Sequence, residues 1–176
     1  HWKATFMSES IAELPDKAPV PSAVSARLAR TGPAKFNRPR VLSGTVVRDR
    51  LFRLLDANED APLTLVLGPA GYGKSTLVSQ WLSRSGLHHA WFFADEYDTE
   101  PSAFIRALVQ AVVRSDALLI PRSAALLENE SAPIHQLIAE FLDELSRITT
   151  PFVIVIDDYQ RAQSSEVDAL MGMLLR

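Results

Sequence analysis

The nine residues "GPAGYGKST" (68–76) follow directly on the apolar run "LTLVL" (63–67) and lead into "LVSQWL". A short, wholly apolar run bounded by Pro62 and Gly68 predicts a strand buried on both faces of a parallel sheet. The stretch "KSTLVSQWLSRSG" has helical spacing and closes on Gly86. The chain must therefore make a strand, a glycine-rich turn and a helix in immediate succession. Together with the alternation of strands and helices along the rest of the chain, that order implies a parallel sheet with helices packed on its faces.

Gly68, Pro69, Ala70, Gly71, Tyr72, Gly73, Lys74 and Ser75 satisfy G-x-x-x-x-G-K-[ST] at every fixed position. Wrapping a backbone around a phosphate with its N–H groups inward requires permissive dihedrals and no side chain in the way, which Gly68, Gly71 and Gly73 provide. A helix starting near Lys74 aims its unpaired N–H groups at the same point. Lys74 is then a mobile charge for the β- and γ-phosphates, Ser75 a hydroxyl suited to Mg²⁺, and Thr76 a donor to the α-phosphate.

Phosphoryl transfer also needs a carboxylate at the end of a neighbouring strand to hold the magnesium. "PFVIVIDDYQ" predicts such a strand, and Asp157 closes it. Parallel strands deliver their C-terminal ends to one edge, which places Asp157 beside the glycine loop. Asp158 is the candidate to orient or deprotonate an attacking water. Between these features the pattern gives a helix over "VVRDRLFRLLDAN", with Thr45 as cap and Asn58 as stop, and a strand over "HAWFFA" (89–94). Two helices follow, "SAFIRALVQAVVRSDALL" capped by Ser102 and "IHQLIAEFLDELSRI"; "SSEVDALMGMLLR" opens a last one. The acidic "DEYDTE" (95–100) reads as a solvated loop, and Arg161 as a surface-pairing residue. The fold class is α/β, a P-loop NTPase with a parallel sheet flanked by helices.

Residues 1–40, rich in Pro, Ala and Ser from Ser8 onward, read as an extended N-terminal arm or linker, with 1–6 either a leader or the inner part of a longer chain and set aside from the fold. The ATPase domain then occupies 41–176. The net charge of −3 supplies no large positive field for a polyanion, and no basic patch stands out. Zero cysteines exclude thiolate metal sites, and His88, His89 and His135 lack metal-ligand spacing. No apolar stretch approaches the ~20 residues that span a bilayer, so a cytoplasmic protein is expected.

The chain lacks the N-K-x-D string of guanine-selective GTPases, which favours ATP, and lacks the H-R-D and D-F-G set of protein kinases. A slow ATP-hydrolysing switch, a conventional P-loop enzyme such as a small-molecule kinase, and a purely interacting P-loop domain remain as readings. "VVRDRLFRLL", "GPAGYGKSTLVSQWL", "WFFADEYDTEPSAF" and "FVIVIDDYQ", in that order, resemble the N-terminal ATPase module of the MalT-like, large LuxR-type transcriptional regulators of the STAND class. The resemblance covers most of residues 36–176, and departs from the family pattern at Gln160, where histidine is common.

That resemblance implies an ATP/ADP and Mg²⁺ switch. It assigns Lys74 and Ser75 to phosphate and magnesium, Asp157 to the metal, and Asp158 to hydrolysis, and it passes Val46, Val47 and Arg48 across the adenine. It further implies inducer-dependent self-association, with sensor and DNA-binding domains elsewhere in a longer regulator; direct nucleic-acid binding is not assigned to this segment. In such modules a strand that follows "FVIVID" lies between it and the glycine-loop strand. The chain does not supply that strand after Asp157, so the module reads as incomplete on its C-terminal side, with either a gap in the sheet or a piece of a longer protein.

Overall fold

The computed structural model describes residues 2–8, 33–58, 61–129 and 131–175. Four parallel strands, β1 (Trp2–Ser8), β2 (Leu63–Leu67), β3 (His88–Phe93) and β4 (Phe152–Asp157), form one sheet in the order β2-β1-β4-β3. The helices are α1 (Asp49–Ala57), α2 (Lys74–Ser85), α3 (Pro101–Asp116), α4 (Pro121–Glu128), α5 (Ile134–Ser146) and α6 (Ser165–Leu174). Helices α1 and α2 cover one face of the sheet through Phe52, Leu55, Leu77, Val78 and Trp81 against Met7, Trp91, Val153 and Val155. The other face carries the larger core, where α3, α5 and α6 bring Phe104, Leu108, Phe141 and Val167 onto Ala4, Phe6, Phe92, Ile154 and Ile156.

The most consequential correction concerns the N-terminus. Residues 2–8 are not part of a free arm: β1 lies in the middle of the sheet, with Phe6 opposite Leu65 on one side and Ile156 on the other. The expected gap between the glycine-loop strand and the Asp157 strand is therefore filled, and β2 and β4 are not direct neighbours. Alternation explains the fit. Ala4 and Phe6 enter the larger core, and Lys3, Thr5 and Met7 face α2. Lys3 is buried, yet its ammonium lies 4.5 Å from the centre of the Trp81 ring, where the π-face receives the charge. Residues 9–32 of the expected arm lie outside the described residues. From Pro33 the chain re-enters as a 3₁₀ turn (Pro33–Phe36) that packs Phe36 on Phe92, ring centres 6.3 Å apart.

Strand β2 also departs from expectation. It is an edge strand, and Leu63, Leu65 and Leu67 are 37%, 54% and 61% exposed. By register they share the face of Ala4 and Phe6, where none of the described helices reaches across to them. Two helix starts shift as well. Thr45 does not cap α1 but donates its hydroxyl to Leu42 O at 2.6 Å, and Arg48 holds the N-cap position. In α3, Pro101 is itself the first helical residue after Glu100, because proline needs no N–H partner there. Helix α4 is an element that the sequence pattern does not mark; its N-terminal Arg122 and Ser123 N–H groups are bound by Glu144 of α5 at 2.8 and 2.9 Å.

Candidate nucleotide and metal site

The C-terminal ends of β2, β1 and β4 converge on one edge, and the glycine loop leaves from the first of them. Gly71 and Gly73 have φ of +78° and +74°, a backbone region that side chains disfavour, so the loop's turn depends on them. Gly73 is also the N-cap of α2, and its carbonyl accepts the Leu77 N–H at 2.8 Å. Lys74 folds back along the loop, donating to Gly68 O at 2.8 Å and Pro69 O at 3.1 Å. Its ammonium thus rests on loop carbonyls at the place where the chain turns. Ser75 and Thr76 follow in the first turn of α2 and are half-buried.

Asp157 ends β4 at 1% exposure. One carboxylate oxygen accepts the Asp158 N–H at 3.1 Å, whereas Oδ2 has no hydrogen-bond partner among the described residues. Burial pushes its pKa up to about 6; the Ser75 hydroxyl draws it down, Asp158's charge pushes it up, and Lys74's charge draws it down. Lys74 and Ser75 therefore act on Asp157 electrostatically although it lies far along the chain from them. A buried carboxylate oxygen lacking a donor beside a helix-start hydroxyl is the donor set that a hard divalent cation requires. The residues present fit Mg²⁺.

Asp158 has φ +57°, the one non-glycine with positive φ among the described residues. Strain of this kind is held only where the surroundings over-determine it, and it collects at functional turns. Here the surroundings are explicit: Asp158 O accepts the Arg161 N–H at 2.9 Å, and Tyr159 lies against Phe6 with ring centres 4.8 Å apart. Strand β1 thus holds the turn that carries the second aspartate.

Arg48 reaches the loop, donating through Nη1 to Tyr72 O at 2.9 Å. A Cβ on Gly73 would come within 3.5 Å of its Nη2, so the guanidinium lies against that turn. Val46 and Val47, 74% and 58% exposed, precede it. Tyr72 is likewise exposed, at 65%. Arg161 makes a 2.6 Å ion pair with Glu96, which holds the Glu96 carboxyl below its usual range. That pairing is the surface role expected of it.

The acidic loop is not solvated throughout, contrary to expectation. Lys35 places its ammonium 2.7 Å from both Asp95 and Asp98, and Lys35 and Asp98 are buried. The two aspartates also cap the 3₁₀ turn Glu96–Asp98, Asp95 accepting the Tyr97 N–H and Asp98 the Asp95 N–H. Burial pushes Asp98 up to about 6 against the pull of Lys35. In the sequence a lysine in a Pro- and Ala-rich stretch carried no sign of this role; only its distant partners define it.

With the loop, the buried aspartate and the intervening strand in view, comparison with known proteins is decisive. The model of the AAA ATPase domain matches residues 46–176. The chain belongs to the AAA ATPase domain family. It is also 38% identical over 146 residues to the HTH-type transcriptional regulator MalT of Serratia proteamaculans, which covers 82% of this chain and 16% of that protein. The MalT proteins of Yersinia enterocolitica and Yersinia pestis are 36% identical over the same length, with the same coverage. The MalT-like resemblance read from the motifs is thereby shown, and the chain spans about a sixth of the length of the curated relatives it matches. No helix among the described residues is long and apolar enough to cross a membrane.

Proposed function

We propose that this chain is the ATP-binding switch of a cytoplasmic transcriptional regulator, and that it hydrolyses ATP slowly to reset itself. The observation that carries the reading is the juxtaposition of Lys74 and Ser75 with the orphaned, buried Oδ2 of Asp157. When ATP binds, the Lys74 ammonium exchanges the Gly68 and Pro69 carbonyls for the β- and γ-phosphates, and the N–H groups of Gly71, Gly73, Lys74, Ser75 and Thr76 turn to the anion. Pro69, Ala70 and Tyr72 shape the rest of the loop.

Magnesium, held by Ser75 and Asp157, would neutralise charge that develops on the transferred phosphoryl group. Asp158 is the residue to orient the attacking water, its carboxylate presented by the left-handed turn. Val46 and Val47 offer exposed apolar surface next to Arg48, which suits the adenine side of the nucleotide. In a longer regulator, inducer and ATP would favour self-association, and sensor and DNA-binding parts would lie outside this segment. The similarity to HTH-type regulators supports that setting.

Nucleotide titration with and without Mg²⁺ tests the metal assignment. In Asp157→Asn the Mg²⁺-dependent gain in ATP affinity is expected to vanish, and turnover to fall at least roughly a hundredfold, as for loss of a transition-state charge partner. An undiminished magnesium effect in that variant would sink the assignment.

A further inference from the structure

Away from the glycine loop, the segment that follows Phe36 runs beside β3 and borders a solvent-open pocket of about 120 Å³ against the last turn of α3. Arg38, Asn37, His89, Arg114 and Ser115 line it, with Phe36 among the apolar contacts. No acidic residue lines it, and neither Arg38 nor Arg114 forms an ion pair among the described residues. In a chain of net charge −3 that is a local reversal of sign.

The cationic groups are placed rather than merely near. The Arg114 guanidinium lies 5.6 Å from the centre of the Phe36 ring, which itself stacks on Phe92. Ser115 ties α3 to the strand by donating its hydroxyl to His89 O at 2.7 Å. His89 has a lowered pKa, first through burial and then through the charges of Arg38 and His88, with the Leu87 carbonyl opposing. At that volume the pocket has room for a small ion and lies well below the ~300 Å³ at which pockets for drug-sized ligands begin. His89 pairs with Val153, four residues before Asp157, so the pocket sits roughly 13 Å back along the sheet from the metal site.

We propose that this pocket is a second anion site, distinct from the glycine loop, that takes a phosphate-sized dianion between the guanidinium forks of Arg38 and Arg114. The phosphate is either the free ion or the terminal group of a small phosphomonoester. Because Arg38 lies in the segment anchored at Pro39, whose carbonyl accepts the Ser79 hydroxyl at 2.6 Å, a bound anion would pin the chain that continues to Arg48.

The test uses the chain carrying Lys74→Ala, so that the glycine loop does not report, and titrates it with inorganic phosphate, methyl phosphate or chloride at constant ionic strength. Binding is followed by the NMR signals of the His89 ring and by calorimetry. Saturable phosphate binding is expected, weakened at least tenfold by Arg114→Gln or Arg38→Gln, with each variant still folded and unfolding cooperatively on heating. Binding of phosphate alone assigns a free-ion site, and binding of methyl phosphate as well assigns a phosphomonoester. A response no greater than that to chloride, or one unaltered by both arginine substitutions, overturns the proposal, whether or not nucleotide binds at the glycine loop.

Discussion

Asp157 shows how one residue is set against the stability of its own domain. A carboxyl whose pKa is about 6 in the native chain and near 3.8 when unfolded holds its proton more tightly when folded. Its contribution therefore favours folding below about pH 3.8 and is lost as pH rises through about 6, which leaves a cost of about 3 kcal/mol at neutral pH without metal. Asp157→Asn is expected to stabilise the metal-free protein at pH 7.5 and to flatten its stability between pH 4 and 6. Asp98 titrates in the same window, so some slope remains. Urea unfolding at several pH values checks this, and equal pH dependence in wild type and variant would contradict it. Stability given up to keep a buried carboxylate oxygen without a donor is the usual sign of a residue that waits for a ligand.

At the scale of elements, two contacts join segments far apart in sequence. Lys35 clamps the loop after β3, and removal of its charge would leave two aspartates crowded together, one fully buried. Lys35→Ala is expected to cost about 3–5 kcal/mol by denaturant unfolding, and adding Asp98→Asn to recover much of it. A loss under ~1 kcal/mol would mean the clamp is not formed in solution. Strand β1 makes the second link, since β2 touches the rest of the sheet through it alone. Met7→Asp would place an unpaired charge between Val153, Val155 and α2, and is expected to abolish cooperative unfolding and nucleotide binding together. If binding persisted, the glycine loop and Asp157 would be shown to assemble without β1.

Over the whole molecule, what could be read in advance is what short-range pattern encodes. "LTLVL", the glycines and "FVIVID" carry their structure in adjacent residues, so the strand–loop–helix order and the parallel sheet are legible there, whereas the separation of β2 from β4 follows only from the family resemblance. The central position of β1 was not, because "WKATFMS" contains a lysine and two hydroxyl residues, and its burial depends on Trp81 and on neighbours more than fifty residues away. The solvent exposure of Leu63, Leu65 and Leu67 was hidden for the converse reason: an apolar run does not say which of its faces will find a partner. The site divides the same way, with the loop residues evident from their spacing and the Lys35 clamp and the strained Asp158 visible only in three dimensions.

Nucleotide binding requires the Lys74 ammonium to leave the Gly68 and Pro69 carbonyls for the nucleotide's phosphates. Equilibrium binding of ATP and ADP, measured by calorimetry in Mg²⁺ for the wild-type chain and for Lys74→Ala, addresses it most directly. Saturable binding by the wild type and a loss of at least roughly tenfold in the variant, ~1.4 kcal/mol or more, is the expected result. Equal affinity in the two proteins would contradict a phosphate-binding role for Lys74.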